Sequence, residues 1–158
     1  MKDSDLAAMR AVINGDLDAL NKAILDGADV NAATMEDGGS ALHVAAGYDR
    51  VDFIGPLVSA GANVNAQDED GWTALHVAAI NGQFDCLALL LSQPNTNLEI
   101  PSTREFSKPD DPIHPPGSTA RDVAEKEGYT EIVAAIDEVT QARALLATGT
   151  HSRQRSAL

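Results

Sequence analysis

Cysteine is almost missing from this chain of 158 residues: Cys86 is the only one. No intrachain disulfide can form, which fits a reducing compartment. Aromatic residues make up only 4%, too few for a globule built on large rings. The abundant alanine suits helices that approach closely through small side chains. Basic side chains are also scarce, 11 against 24 acidic ones, for a net charge of −13. Nucleic-acid backbones and anionic membrane surfaces both require a basic footprint, so this balance argues against either as a partner. It favours solubility and a protein partner with a basic surface. No apolar run reaches the ~18–20 residues of a bilayer span. The start, Met1-Lys2-Asp3-Ser4-Asp5, lacks a basic region followed by an apolar core, so no signal peptide is expected. The expected location is cytoplasmic.

Catalytic signatures are missing too. There is no G-x-S-x-G, no P-loop and no G-x-G-x-x-G. A metal site would need paired cysteines or histidines at short spacing, and none occur. Cys86, between Phe84 and Leu87, reads as a small buried apolar residue rather than a nucleophile. The pairs Glu36-Asp37 and Glu69-Asp70 fall at turns, where solvated charge is the ordinary expectation. No cofactor, metal or small-molecule substrate is implied, and the chain reads as non-enzymatic.

What the chain does have is repetition. Gly71-Trp72-Thr73-Ala74-Leu75-His76-Val77-Ala78-Ala79 has a near-copy in Gly39-Ser40-Ala41-Leu42-His43-Val44-Ala45-Ala46, and the two histidines lie 33 residues apart. A fixed period in this range signals a solenoid. Each copy is followed by a break and a second helical pattern, Phe53, Ile54, Leu57 and Val58 in one unit and Phe84, Cys86, Leu87, Leu90 and Leu91 in the next. Gly61-Ala62-Asn63-Val64-Asn65-Ala66 closes the first of these, echoing Gly27-Ala28-Asp29-Val30-Asn31-Ala32.

In Thr73-Ala74-Leu75-His76-Val77-Ala78-Ala79 and Gly61-Ala62-Asn63-Val64-Asn65-Ala66 the chain resembles the ankyrin-repeat family, whose unit is a helix pair plus a β-turn finger with a T-P-L-H-x-A signature. The resemblance covers about residues 3–140 and implies an all-α solenoid of about four repeats. The expected division is an N-terminal capping repeat at 1–33, repeats at 34–67 and 68–99, a proline-rich inserted loop at 100–116, a C-terminal capping repeat with a terminal helix at 117–147, and a flexible tail at 148–158. Alanine stands at the family's proline position (Ala41, Ala74), which is permissible because proline there only matches an already free donor. Pro56 lies inside a helical pattern and predicts a kink or a late helix start. Arg121-Asp122 replaces Leu-His in the fourth unit, as suits a cap with a polar outer face. The pattern Val139, Ala142, Leu145 and Leu146 predicts a helix packed over the end of the stack and stopped by Gly149.

The resemblance also implies that Thr73/His76 and Ser40/His43 tie adjacent repeats together. Asn31 and Asn65 stand where asparaginyl hydroxylases modify some ankyrin repeats, with shaping of the inter-repeat turn as their default role. Family contacts often come from finger tips and the exposed side of the first helices. Register places these at Ile13, Glu36, Asp37, Tyr48, Glu69, Asp70, Trp72, Ile80 and Asn81. Two readings of Trp72 stand, an exposed aromatic anchor or a ring packed across the neighbouring finger. The expected function is an adaptor or scaffold that binds a basic protein through its concave face. The alternative is an inhibitor or immunity-type protein that masks a basic active site. His114 and His151 have no partner in sequence, and Ser156-Ala157-Leu158 is a loose match to a carboxyl-terminal PDZ-type ligand.

Overall fold

A computed structural model describes residues 2–33, 35–104 and 114–154, with side chains through Thr148. Eight helices among these residues form four pairs: α1 (Asp3–Asn14) with α2 (Leu17–Leu25), α3 (Ala41–Gly47) with α4 (Val51–Ser59), α5 (Ala74–Ile80) with α6 (Phe84–Ser92), and α7 (Ala120–Glu127) with α8 (Thr130–Gln154). The first helices stack in the order α1, α3, α5, α7, and the second helices in the order α2, α4, α6, α8. Each pair packs mainly on its neighbours, which makes the molecule the expected all-α solenoid. No helix among the described residues is long and apolar enough to cross a membrane.

The core lies between the two helix layers. Leu20, Leu42, Ile54, Leu57, Leu87, Leu90, Val123, Ile132 and Ile136 are all buried. The alanines that seemed excessive in the composition are the close-approach points: Ala45, Ala46, Ala78, Ala79 and Ala124 are completely buried. A larger side chain there would push the first helices apart.

Short helices need their ends satisfied, and here the repeat does this with histidine. Nδ1 of His43 accepts from the Ser40 amide (3.1 Å) and hydroxyl (2.9 Å). Nδ1 of His76 does the same for Thr73, at 3.2 and 2.9 Å. Because Nδ1 accepts, the proton sits on Nε2, which donates to the carbonyl of the next unit. His43 Nε2 reaches the Trp72 carbonyl at 3.0 Å and His76 Nε2 the Ser118 carbonyl at 3.1 Å. In the fourth unit Asp122 stands in this place and accepts from the Thr119 amide at 2.8 Å. A carboxylate accepts but cannot donate onward, so the ladder ends there.

A second ladder runs along the inter-repeat turns. Asn31 Nδ2 donates to the Gly61 carbonyl (2.9 Å) while its Oδ1 accepts from the Asn63 amide (2.7 Å). One repeat on, Asn65 donates to the Asn95 carbonyl and accepts from the Asn97 amide, both at 2.8 Å. These bonds account for both asparagines structurally.

Arginines close other ends. Arg50 donates to the Val12 and Ile13 carbonyls at the end of α1. Arg143 of α8 donates to the Leu91 carbonyl in the last turn of α6 and to the Gln93 and Thr96 carbonyls just after it. Both place positive charge at the negative end of a helix dipole.

Three expectations of local structure need correction. Helix α4 starts at Val51, well before Pro56. The proline therefore does not delay the start of the helix; it sits inside it and withholds its own donor. Helix α8 does not stop at Gly149 but continues to Gln154. Nor does its far end pack over the stack: Val139 is partly buried against the core, but Leu145 and Leu146 are 72% and 73% exposed. Residues 105–113 and 155–158, the middle of the insertion and the end of the tail, lie outside the described residues.

Candidate functional site

Three fingers project between the helix pairs, each closed by a backbone bond. Met35 N donates to Gly39 O, Asp68 N to Trp72 O, and Ser102 N to Ser118 O. The third bond brackets the inserted residues, so the described ends of the insertion form the base of the third finger. The fingers also bond to one another. Glu69 N donates to Asp37 O, and Thr103 N and Arg104 N donate to Asp70 O. This contact requires glycine at residue 71, where φ is +80° and a Cβ would fall 2.4 Å from the Thr103 nitrogen.

The nine residues singled out from register divide under this geometry. Glu36, Asp37, Tyr48, Glu69 and Asn81 are exposed, Tyr48 by 57%. Asn81 ends α5 and its Nδ2 donates to the Val77 carbonyl at 2.8 Å. Asp70 is half-buried and paired with Arg104 at 3.2 Å. Ile13 is partly buried against the core.

Trp72 and Ile80 are not accessible, each being only 4% exposed. Trp72 is therefore not an open aromatic anchor. Its ring packs against two histidines, 5.7 Å from His76 and 6.2 Å edge-on from His114. His114 belongs to the inserted segment and is itself 1% exposed. Its Nε2 donates to Glu127 at 2.6 Å, so the partner invisible in sequence is a carboxylate at the end of α7. Ile80 stands one repeat from Gly47, but its larger side chain is drawn into the core.

The accessible face of the first two fingers includes a groove of about 150 Å³. Met35, Val44 and Val77 supply apolar surface, Tyr48 an aromatic ring, and Asp37 and Asp68 the carboxylates. Sequence reasoning missed Met35, Val44, Asp68 and Val77 as a set. Register held part of the signal, because Val44 and Val77 are equivalent positions of successive first helices. Burial holds the Asp68 carboxyl above the usual carboxylate range, and the nearby Asp37 charge adds to this, against the lowering effect of the Trp72 and Asp70 amides.

The remaining reactive groups are structural. Burial pushes the His76 imidazole down to about 4 and the Cys86 thiol up to about 12. A neutral imidazole with both nitrogens engaged and a protonated thiol are poor catalytic groups at neutral pH.

The family model for ankyrin repeats (3 copies) matches residues 8–102. The helix pair beyond that span stacks by the same rule, through α5 on α7 and the bond from His76 to Ser118. By signature, by stacking and by this match, the chain belongs to the ankyrin-repeat family, whose repeats are generally protein–protein interaction modules and typically non-enzymatic.

Proposed function

We propose that the chain is an adaptor that binds a partner protein with a basic surface through its finger tips and the exposed side of its first helices. The observation that carries this reading is how the charges are distributed. Arg50, Arg104, Arg121 and Arg143 are each held by carbonyls or carboxylates of the chain itself. Glu36, Asp37 and Glu69 form no ion pair with a described residue and stand exposed on successive fingers. Tyr48 adds an accessible ring beside them, of the type that often dominates binding energy inside a charged rim.

Affinity capture with wild type and with the double variant Glu36→Lys/Glu69→Lys tests this. The expected result is a partner with a basic surface that wild type retains at low salt and loses as salt rises, and that the variant does not retain. Its association rate should fall roughly tenfold or more between low and physiological ionic strength. Capture indifferent to both salt and charge reversal would defeat the basic-partner reading. Loss of the partner's own activity on titration would make the role inhibitory rather than scaffolding.

A further inference from the structure

The groove between the first two fingers differs from its neighbour one repeat along. Asp37 and Asp70 are equivalent residues, each accepting at its carbonyl from the following finger. At the second finger the chain supplies its own cation, Arg104, to the Asp70 carboxylate at 3.2 Å. At the first finger, the position equivalent to Arg104 is Asp70 itself. Acid there follows acid, and no described cation lies within ion-pairing distance of Asp37 or Asp68. In both, Oδ1 is already engaged by the turn: Asp37 Oδ1 accepts from Gly39 N at 3.0 Å, and Asp68 Oδ1 from Asp70 N at 3.0 Å and Trp72 N at 2.8 Å.

We propose that this groove receives an arginine side chain from the partner protein, its guanidinium between the Asp37 and Asp68 carboxylates, its plane against Tyr48 and its stem along Met35, Val44 and Val77. The inference rests on the basic-partner reading and names the contact within it. Arginine matches the lining better than lysine. A planar guanidinium presents donors in a fork to two carboxylates, stacks on an aromatic ring and is weakly hydrated. Lysine offers a compact, strongly hydrated charge that apolar walls do not reward. Asp68 also carries a cost that this ligand relieves. Its ionised form is disfavoured by burial and by Asp37, and an entering cation reverses both effects.

The test is a two-dimensional amide NMR titration with N-acetyl-arginine methylamide, using the N-acetyl-lysine analogue for comparison. The arginine compound should shift the amides of Gly39, Gly47, Tyr48 and Asp68 saturably, and the lysine compound should bind several-fold more weakly. Asp68→Asn keeps the Oδ1 acceptor for the Trp72 and Asp70 amides and removes the charge. It should weaken arginine binding roughly tenfold or more, the scale of a charge-assisted hydrogen bond, with no fall in melting temperature. Tyr48→Ala should weaken it as well. Equal binding of both compounds, non-saturating shifts, or binding indifferent to Asp68→Asn would overturn the assignment. If partner capture depends on Glu36 and Glu69 while the arginine compound ignores Asp68, the proposed function stands and the groove falls. If the arginine compound binds as described but no captured protein shows salt dependence, the proposed function falls.

Discussion

At the scale of single residues, histidine carries this fold, and its protonation should be visible in stability. His76 is 1% exposed and burial holds its imidazole near 4, against 6.5 in an unfolded chain. Above about 6.5 neither state binds the proton and the full contribution of the neutral ring is present. As pH falls from there towards 4, the unfolded chain takes up a proton that the folded one refuses, and stability is lost. The shift corresponds to about 3 kcal/mol at most. His76→Gln, which can still accept from Thr73 but does not titrate, should be less stable than wild type at pH 7. The gap should close as pH falls below about 6, measured by urea unfolding at several pH values. A gap constant from pH 7 to 4 would show that His76 is not the titrating group. The structural role of this histidine was legible in sequence because it recurs at a fixed period beside a serine or threonine. The fate of Trp72 was not. It stands where the previous repeat has Gly39, so periodicity offers no template for it. The ring that covers it, His114, comes from the far side of a proline-rich insertion. Nothing local to Trp72 announces a contact made across that distance in the chain.

At the scale of elements, the inserted third finger is pinned rather than merely appended. Ser102 and Gly117 close its base, Thr103 lies against Gly71, and His114 joins Glu127 where side-chain exposures are only 2% and 10%. A buried charged partner left alone is costly, so His114→Ala should destabilise the protein by about 3 kcal/mol. It should also open one edge of Trp72 to water. Trp72 is the only tryptophan, so its fluorescence reports this directly. Emission should move to longer wavelength and acrylamide should quench it more strongly. Unchanged emission in a folded His114→Ala variant would show that the insertion does not shield the ring. The helices themselves were largely legible, since apolar spacing and the Gly-Ala-Asn-Val-Asn turns mark them. Two boundaries were not. Pro56 is tolerated within α4 at the loss of one backbone bond, and Gly149 is carried through by α8. A local breaker yields when its neighbours on both sides favour the helix, and sequence alone does not weigh those competing terms.

At the scale of the whole molecule, the solenoid makes stability a sum over units and the interfaces between them. The interfaces are unequal at the C-terminal end. Helix α8 begins as the second helix of the fourth unit, with Ile132 and Ile136 buried, and its Arg143 binds the Leu91 and Gln93 carbonyls at the end of α6. Beyond it, Leu145 and Leu146 are mostly exposed. These two leucines therefore add length to the helix without adding core. Two truncations separate these parts. A chain ending at Ala144 keeps every buried contact named for α8 and should melt within about 2 °C of the full chain, because less than about 1 kcal/mol is removed. A chain ending at Ser102 loses the whole fourth unit. It leaves the His76 Nε2 donor without its Ser118 acceptor and exposes the face of α5 and α6 that α7 and α8 cover. Each large apolar side chain returned to water costs about 1.5–3 kcal/mol, so the melting temperature should drop by on the order of 10 °C or more. Differential scanning calorimetry of the three chains checks both. A large drop for the Ala144 chain would mean that the exposed end of α8 holds the stack after all. A small drop for the Ser102 chain would mean that the three units matched by the family model are self-sufficient and that the fourth is an accessory.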